Sequence, residues 1–160
     1  MILDLPTFTL IHVVISVVGV ISGLVVLGGL TAGARLDGWT ALFLGTTTLT
    51  SVTGFGFPTA AVSPAQVVGG LSLVVLAACL AARYWMKLSG GWRTTYAVTA
   101  VVATYLNVFV LVVQLFAKTP ALAQLAPTQA EPPFALTQAL VLALFVWLGW
   151  AAVRGFRAAR

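Results

Sequence analysis

The chain has very few charged residues. Only 7% of its 160 residues are charged and 61% are hydrophobic, whereas a soluble domain carries about 25% charged residues. Water could not solvate such a surface, so the composition predicts a protein whose solvent is the lipid bilayer. The net charge of +5 is then no sign of nucleic-acid binding, because the cations lie at the ends of apolar segments, where they meet lipid headgroups.

Cysteine, histidine and acidic residues are also scarce. Cys79 is the single cysteine, so no disulfide can form within the chain. One histidine and three acids are too few for a transition-metal site of the usual ligand number, or for a haem held by two histidines. The cofactor therefore stays unknown, and the sequence offers no nucleophile with an aligned base and no paired carboxylates.

Long apolar stretches fill the chain instead. About 20 helical residues cross the hydrocarbon of a membrane. Four long stretches and a shorter threonine-rich one predict an all-α integral membrane protein with one domain, 1–160. We expect a bundle of five transmembrane helices, at about 7–30, 39–57, 64–86, 93–117 and 134–153. No Lys or Arg precedes the first stretch, which exceeds the roughly 7–15 residues of a signal-peptide core, so we expect it to remain as a helix.

The positive charges predict the orientation. Five crossings leave Lys118 alone on one side and place the other cations together: Arg35, Arg83, Lys87, Arg93, Arg154, Arg157 and Arg160. Cytoplasmic loops retain Lys and Arg, so we expect an external N-terminus and a cytoplasmic C-terminus. The alternative is that segment 39–57 does not cross. Four spans with an internal N-terminus would move Arg35 outside and Asp4 inside.

The fourth segment carries a polar stripe. At 100° per residue one narrow face holds Tyr96, Thr104, Asn107, Leu111, Gln114 and Lys118. Lipid cannot satisfy their hydrogen bonds, so this face should meet other helices or a water-filled cavity. Contacts between helices and a functional cavity both remain open. In the first segment, the spacing of Gly19 and Gly23 predicts close helix packing.

Several polar side chains from separate segments are predicted to share the outer half. Among them, His12 is the natural proton switch of the chain, Lys118 would attract an anionic group, and Glu131 would accept a proton or pair with Lys118. Asn107 and Gln114 would orient a ligand. The alternative is an ordinary wet interface, in which an exposed Lys–Glu pair contributes little.

The threonine-rich segment admits a second interpretation. Residues 46–58 resemble the pore helix and filter of a potassium channel, with Thr50, Thr53 and two nearby glycines. One extra residue and a missing acid after the second glycine depart from that pattern. The alternative is a helix whose hydroxyls bond back to their own carbonyls. Thr46, Thr50 and Thr53 share one face, which could pack on the polar stripe.

Three stretches carry a resemblance: TSVTGF at 50–55, TYLNVFVLVVQLF at 104–116 and APTQAEPPF at 126–134. They are similar to those of a group of small, multi-pass bacterial inner-membrane proteins with no assigned function. The likeness covers most of the chain from the second segment onward. It implies a bacterial inner-membrane location, and it implies no activity, substrate or catalytic residue.

The leading functional hypothesis is a non-enzymatic membrane module. It would bind a small ligand or proton through His12, Thr50, Thr53, Asn107, Gln114, Lys118 and Glu131. Alternatively it would serve as an accessory subunit, with a membrane-protein partner or a second copy of the chain. A channel or transporter using 46–58 is the second hypothesis. A membrane enzyme using His12 with Glu131 is the third.

Overall fold

The computed structural model describes residues 4–159, which are helical and contain no strand. The helices are α1 (Leu5–Thr31), α2 (Asp37–Gly54), α3 (Pro64–Leu80), α4 (Trp92–Lys118), α5 (Pro120–Leu125) and α6 (Pro132–Ala158), and a π-helical turn, Ala81–Trp85, continues α3. Arg160, which belongs to the predicted cationic side, lies outside the described residues. The predicted all-helical class is confirmed.

Within residues 4–159, four helices are long and apolar enough to cross a membrane: Leu5–Thr31, Pro64–Trp85, Trp92–Lys118 and Pro132–Ala158. They indicate a membrane protein. The threonine-rich α2, with 18 residues, is not among the four. At about 1.5 Å per residue it would extend about 27 Å, close to the hydrocarbon thickness of about 30 Å.

Local sequence signals set the helix starts. The Asp4 side chain accepts a hydrogen bond from the backbone N–H of Thr7 at the start of α1. At the start of α3, the Gln66 N–H donates to Ser63 Oγ at 3.2 Å, and the Ser63 N–H donates to Gln66 Oε1 at 3.0 Å. This reciprocal pair is a capping box, and it satisfies N–H groups that the helix leaves free.

The five long helices run alternately up and down the bundle. Cations gather at one end, here called the arginine end: Arg35, Arg83, Lys87, Arg93, Arg154 and Arg157. The opposite end, the Lys118 end, also holds the N-cap residues Asp4 and Glu131. Contacts fix the alternation: His12 of α1 reaches Thr53 of α2 at the Lys118 end. At the arginine end, Arg93 of α4 donates to Phe156 O of α6 at 2.7 Å.

Small residues bring α1 against its neighbours. A Cβ at Gly19 would lie 3.2 Å from Asn107 Nδ2 and 3.2 Å from Thr47 Oγ1. A Cβ at Gly23 would lie 2.8 Å from Thr104 Oγ1. The absent side chains let α1 approach α2 and α4, as the predicted glycine spacing requires.

A buried arginine ties three elements together at the arginine end. Arg83 lies in the π-helical turn, is 4% exposed, and donates to Asp37 in the first turn of α2. Its guanidinium carbon is 5.1 Å from the ring centroid of Tyr96 in α4, which suits a cation–π contact. Tyr96 also shares a 3.1 Å hydrogen bond with Thr40. The charge is therefore paired and stacked, as a buried arginine requires.

Element boundaries differ modestly from the sequence predictions. The second helix ends at Gly54 rather than near 57, and the last extends to Ala158. The short α5 inside the predicted loop and the π-helical turn after α3 are not predicted by the apolar pattern. α5 follows Thr119 with a proline in its first turn, a position that proline favours.

Candidate functional site

A cavity of about 850 Å³ opens within the half of the bundle toward the Lys118 end. Helices α1 to α4 all line it. α1 and α4 meet at Gly23 and Thr104, and farther toward the Lys118 end the cavity separates them. The predicted binding residues that line it are His12, Thr50, Asn107, Gln114 and Lys118. The fold therefore brings five of the seven together around one partly open cavity.

The polar stripe of α4 makes contacts between helices along one part of its length and lines the cavity along the other. Toward the arginine end, Tyr96 bonds Thr40 and Thr104 packs on Gly23. Toward the Lys118 end, Leu111, Gln114 and Lys118 line the cavity. The stripe thus holds helices together in one half and faces an open space in the other, with the change at Asn107.

His12 is held by α2. Its Nδ1 lies 2.8 Å from Thr53 Oγ1, and the same hydroxyl donates to Leu49 O at 2.7 Å. Because the hydroxyl proton is directed at Leu49 O, Thr53 Oγ1 acts as the acceptor and Nδ1 carries the imidazole proton. A neutral ring then leaves Nε2 as an acceptor. The ring also packs edge-on against Phe57, with centroids 5.0 Å apart. Thr53 thus serves the site by orienting His12.

The floor of the cavity is polar. Asn107 Nδ2 donates to Thr47 Oγ1 at 3.3 Å, which joins α4 to α2 beside Gly19. Ser51 and Ser72 line the floor and are 6% and 4% exposed. Within residues 4–159 neither serine hydroxyl has a hydrogen-bond partner, and Thr50 Oγ1 is buried without one. Buried polar groups are normally satisfied, and the two serine hydroxyls at the cavity are therefore candidates to bond a ligand or water.

The rim of the cavity carries one cation. Lys118 is the last residue of α4, where a positive charge complements the helix dipole. Within residues 4–159 the ion pairs join Asp37 to Arg35 and to Arg83, and none involves Lys118. Gln66, also at the cavity, is held by the capping box at the start of α3. Lys118 is thus the free charge at this site.

Glu131 lies apart from the cavity and caps the turn before α6. Its Oε1 accepts from Thr128 N at 3.2 Å and Thr128 Oγ1 at 2.9 Å, and its Oε2 accepts from Ala130 N at 3.1 Å. Desolvation acts to raise the pKa of this carboxyl, and the hydrogen bonds from Thr128 and Ala130 together outweigh it and lower the pKa below its ordinary value. The structure does not bring Glu131 to His12 or Lys118, because local hydrogen bonds already hold its carboxylate.

The threonines of α2 are only partly placed as the sequence suggested. Thr46 and Thr53 donate back to the carbonyls of Leu42 and Leu49, at 2.7 Å in each case. The threonines of α2 that bond to the polar stripe are Thr40, through Tyr96, and Thr47, through Asn107. The α-helix continues to Gly54, so its backbone carbonyls are directed along the helix rather than into a pore.

Sequence reasoning missed Ser51 and Ser72 of the floor, and the Asp37–Arg83 pair at the other end. Ser72 interrupts an otherwise apolar run in α3, which is the signal that could have identified it. Comparison of the chain with protein-family models, with curated proteins and with solved structures finds no match. The geometry of the cavity is therefore what supports a function.

Proposed function

We propose that this chain is a non-enzymatic integral membrane protein that binds a small molecule in the cavity at the Lys118 end. One observation carries the proposal: side chains from four helices converge on a partly open cavity of about 850 Å³, within the range of about 300–1,000 Å³ typical of ligand pockets. Its wall is mainly aliphatic, with polar groups at the floor and a cation at the rim. Few, well-placed polar groups in an apolar pocket are the usual composition of a binding site.

We also propose that all five long helices cross the membrane, with the Lys118 end outside. Six described cations lie at the opposite end, which favours a cytoplasmic position for that end. α2 lies along α1 from Phe43 beside Gly23 to Thr53 beside His12, and it is almost long enough to span. The resemblance to small bacterial proteins supports the bacterial inner membrane as the location.

The channel and enzyme hypotheses draw less support. A filter needs consecutive carbonyls directed into a pore, whereas the helix of α2 continues to Gly54. An acid–base pair needs its members within hydrogen-bond reach, whereas the carboxylate of Glu131 is bonded to Thr128 and Ala130 and does not line the cavity with His12.

The test is native mass spectrometry. The protein is extracted together with its native lipids, the lipids are removed in the gas phase, and the mass of any small molecule that stays bound is measured. Ser72→Leu would place a bulky side chain on the cavity floor. Val74→Leu changes the same helix at a residue that is 69% exposed. We expect a bound small molecule on the wild type and on Val74→Leu, and its loss from Ser72→Leu. A wild-type protein without adduct, or an adduct unchanged by Ser72→Leu, would overturn the proposal.

A further inference from the structure

We propose that the cavity takes an anionic amphiphile with a single apolar chain and a hydrogen-bonding oxygen at the far end of that chain. The inference rests on the proposed function and names its ligand class. It follows from the charge, wall, floor and length of the cavity. The charged group of the ligand would lie at Lys118 and its far end at Ser51 and Ser72.

The charge of the ligand follows from the rim. Among residues 4–159, Lys118 is the one cation that lines the cavity, and no carboxylate of these residues lines it. In the described part of the chain Lys118 has no acidic partner. An anionic headgroup would supply that partner, and a charge-assisted hydrogen bond is stronger than a neutral one. Gln114, one turn below, offers an amide to the same group.

The middle of the cavity requires an apolar ligand. Between rim and floor the wall consists mainly of aliphatic side chains from α1 and α4, including Val13, Val17, Val110 and Leu111, and His12 and Ser16 of α1 are its polar members. A polar segment placed against the aliphatic side chains would lose its hydrogen bonds to water without replacement. A hydrocarbon chain would gain from the same contacts.

The far end of the chain meets the floor. Several serine and threonine hydroxyls of the bundle bond to a carbonyl of their own helix, as Ser16 does to His12 O and Ser22 does to Val18 O. Ser51 and Ser72 make no such bond although each is more than nine-tenths buried. Two unpartnered hydroxyls on facing helices, beside Asn107, favour a hydroxyl or keto oxygen over a methyl terminus.

The spacing of rim and floor sets the length of the chain. Asn107 and Lys118 are eleven residues apart on α4, which corresponds to about 16 Å along the helix axis. Extended dodecanoate is about that long. The ligand class is therefore a medium-chain acid or phosphate ester, supplied either from the aqueous side or from the lipid leaflet at the Lys118 end.

The test uses the full chain in nanodiscs of zwitterionic lipid, labelled by a dodecanoate analogue with a photoreactive diazirine at mid-chain. Competitors are dodecanoate, ω-hydroxydodecanoate and dodecanol, and the labelled peptides are identified by mass spectrometry. We expect labels on α1 and α4 residues of the cavity. ω-Hydroxydodecanoate should compete at the lowest concentration, then dodecanoate, then dodecanol.

Two sets of variants separate the contributions of head and tail. Lys118→Gln should weaken both acids about tenfold and leave dodecanol unchanged, whereas Lys118→Arg and the distant control Lys87→Gln should retain wild-type competition. In wild type, ω-hydroxydodecanoate should compete at a concentration about two- to tenfold lower than dodecanoate. The double variant Ser51→Ala with Ser72→Ala should abolish this difference without raising the concentration at which dodecanoate competes. Retention by Lys118→Arg excludes misfolding as the cause of the Lys118→Gln result.

Two results would overturn the ligand class. If the cavity is labelled but dodecanol competes as well as dodecanoate and Lys118→Gln has no effect, the ligand is not anionic, and the binding function itself stands. If the label falls outside the cavity, an amphiphile of this length is not the ligand. Failure of the binding function is recognised separately, in the mass-spectrometry test. There, either the wild type carries no adduct or Ser72→Leu does not remove it. Supplying the competitor in water or pre-mixed into the lipid distinguishes the two sources.

Discussion

Asn107 Nδ2 donates to Thr47 Oγ1 at 3.3 Å, and this bond marks the depth at which the bundle changes from packed to open. Below it, toward the arginine end, Tyr96 and Thr104 are fully buried between helices. Above it, α1 and α4 line the cavity. Gly19 lies against both partners of the bond, so three helices meet at this point.

Gly23→Val should destabilise the protein through overpacking. The added Cβ would lie 2.8 Å from Thr104 Oγ1 and 3.0 Å from Phe43 Cε2, both buried side chains. We expect the free energy of unfolding to fall by about 1–3 kcal/mol. Gly28→Val on the same helix is the control, because nothing lies within 4 Å of a Cβ there. Thermal unfolding in detergent measures both, and equal midpoints would contradict the packing.

Asp37→Asn should destabilise the arginine end. It weakens the partner of Arg83, whose guanidinium is buried and already has one nitrogen without a hydrogen bond. We expect a loss of about 1–3 kcal/mol, the cost of leaving a buried polar group unsatisfied. Arg35→Gln removes the exposed ion pair to the same carboxylate, 3.5 Å away, and should cost under about 1 kcal/mol. Unfolding by titration with a denaturing detergent compares the two. A larger loss for Arg35→Gln would contradict the structure.

Leu111→Cys should react with water-soluble thiol reagents. Leu111 lines the cavity, and a thiolate reacts only where water reaches it. Leu136→Cys, on α6, is the control, since Leu136 is 63% exposed on the outer surface of the bundle, where lipid would cover it. With Cys79→Ala in both proteins, we expect Leu111→Cys to react at least about tenfold faster.

The same two variants test the orientation in intact cells. With the Lys118 end outside, a membrane-impermeant reagent should label Leu111→Cys without lysis. Labelling that requires lysis would place the Lys118 end inside and would contradict the proposed topology. Equal labelling of both cysteines would show that no water-filled cavity opens there.

Glu131→Gln should destabilise the turn before α6 in a pH-dependent manner. Hydrogen bonds from Thr128 and Ala130 hold the pKa of Glu131 below its ordinary value of 4.5. A lowered pKa in the folded state means that the carboxylate contributes stability above the unfolded pKa and loses it as the pH falls through the folded pKa. The difference in unfolding temperature between wild type and Glu131→Gln should therefore be present near neutral pH and shrink below about pH 4. A difference that is constant with pH would show that the charge plays no part.

Local sequence determined the helices and their ends. Apolar stretches longer than about 20 residues must form helices in lipid, because only a helix satisfies its own backbone there. Ser63 and Gln66 close the capping box without help from the rest of the fold, since donors and acceptors lie within one turn. The polar stripe of α4 likewise follows from the helical period, which is enough to predict Asn107, Gln114 and Lys118 as residues of one polar face.

Contacts between helices were decided only by the tertiary structure. No pattern within α2 indicates that Thr47, rather than Thr46 or Thr50, meets Asn107, because that choice depends on how Gly19 and Gly23 let α1 approach. Glu131 is close to Lys118 in the predicted topology, yet local bonds hold it at the turn before α6. The cavity lies between α1, α2, α3 and α4, and a space between helices is a relation that no single segment encodes. The sequence by itself determined which side chains are polar in a membrane segment, and the packing of α1 to α4 decided which of them share a space.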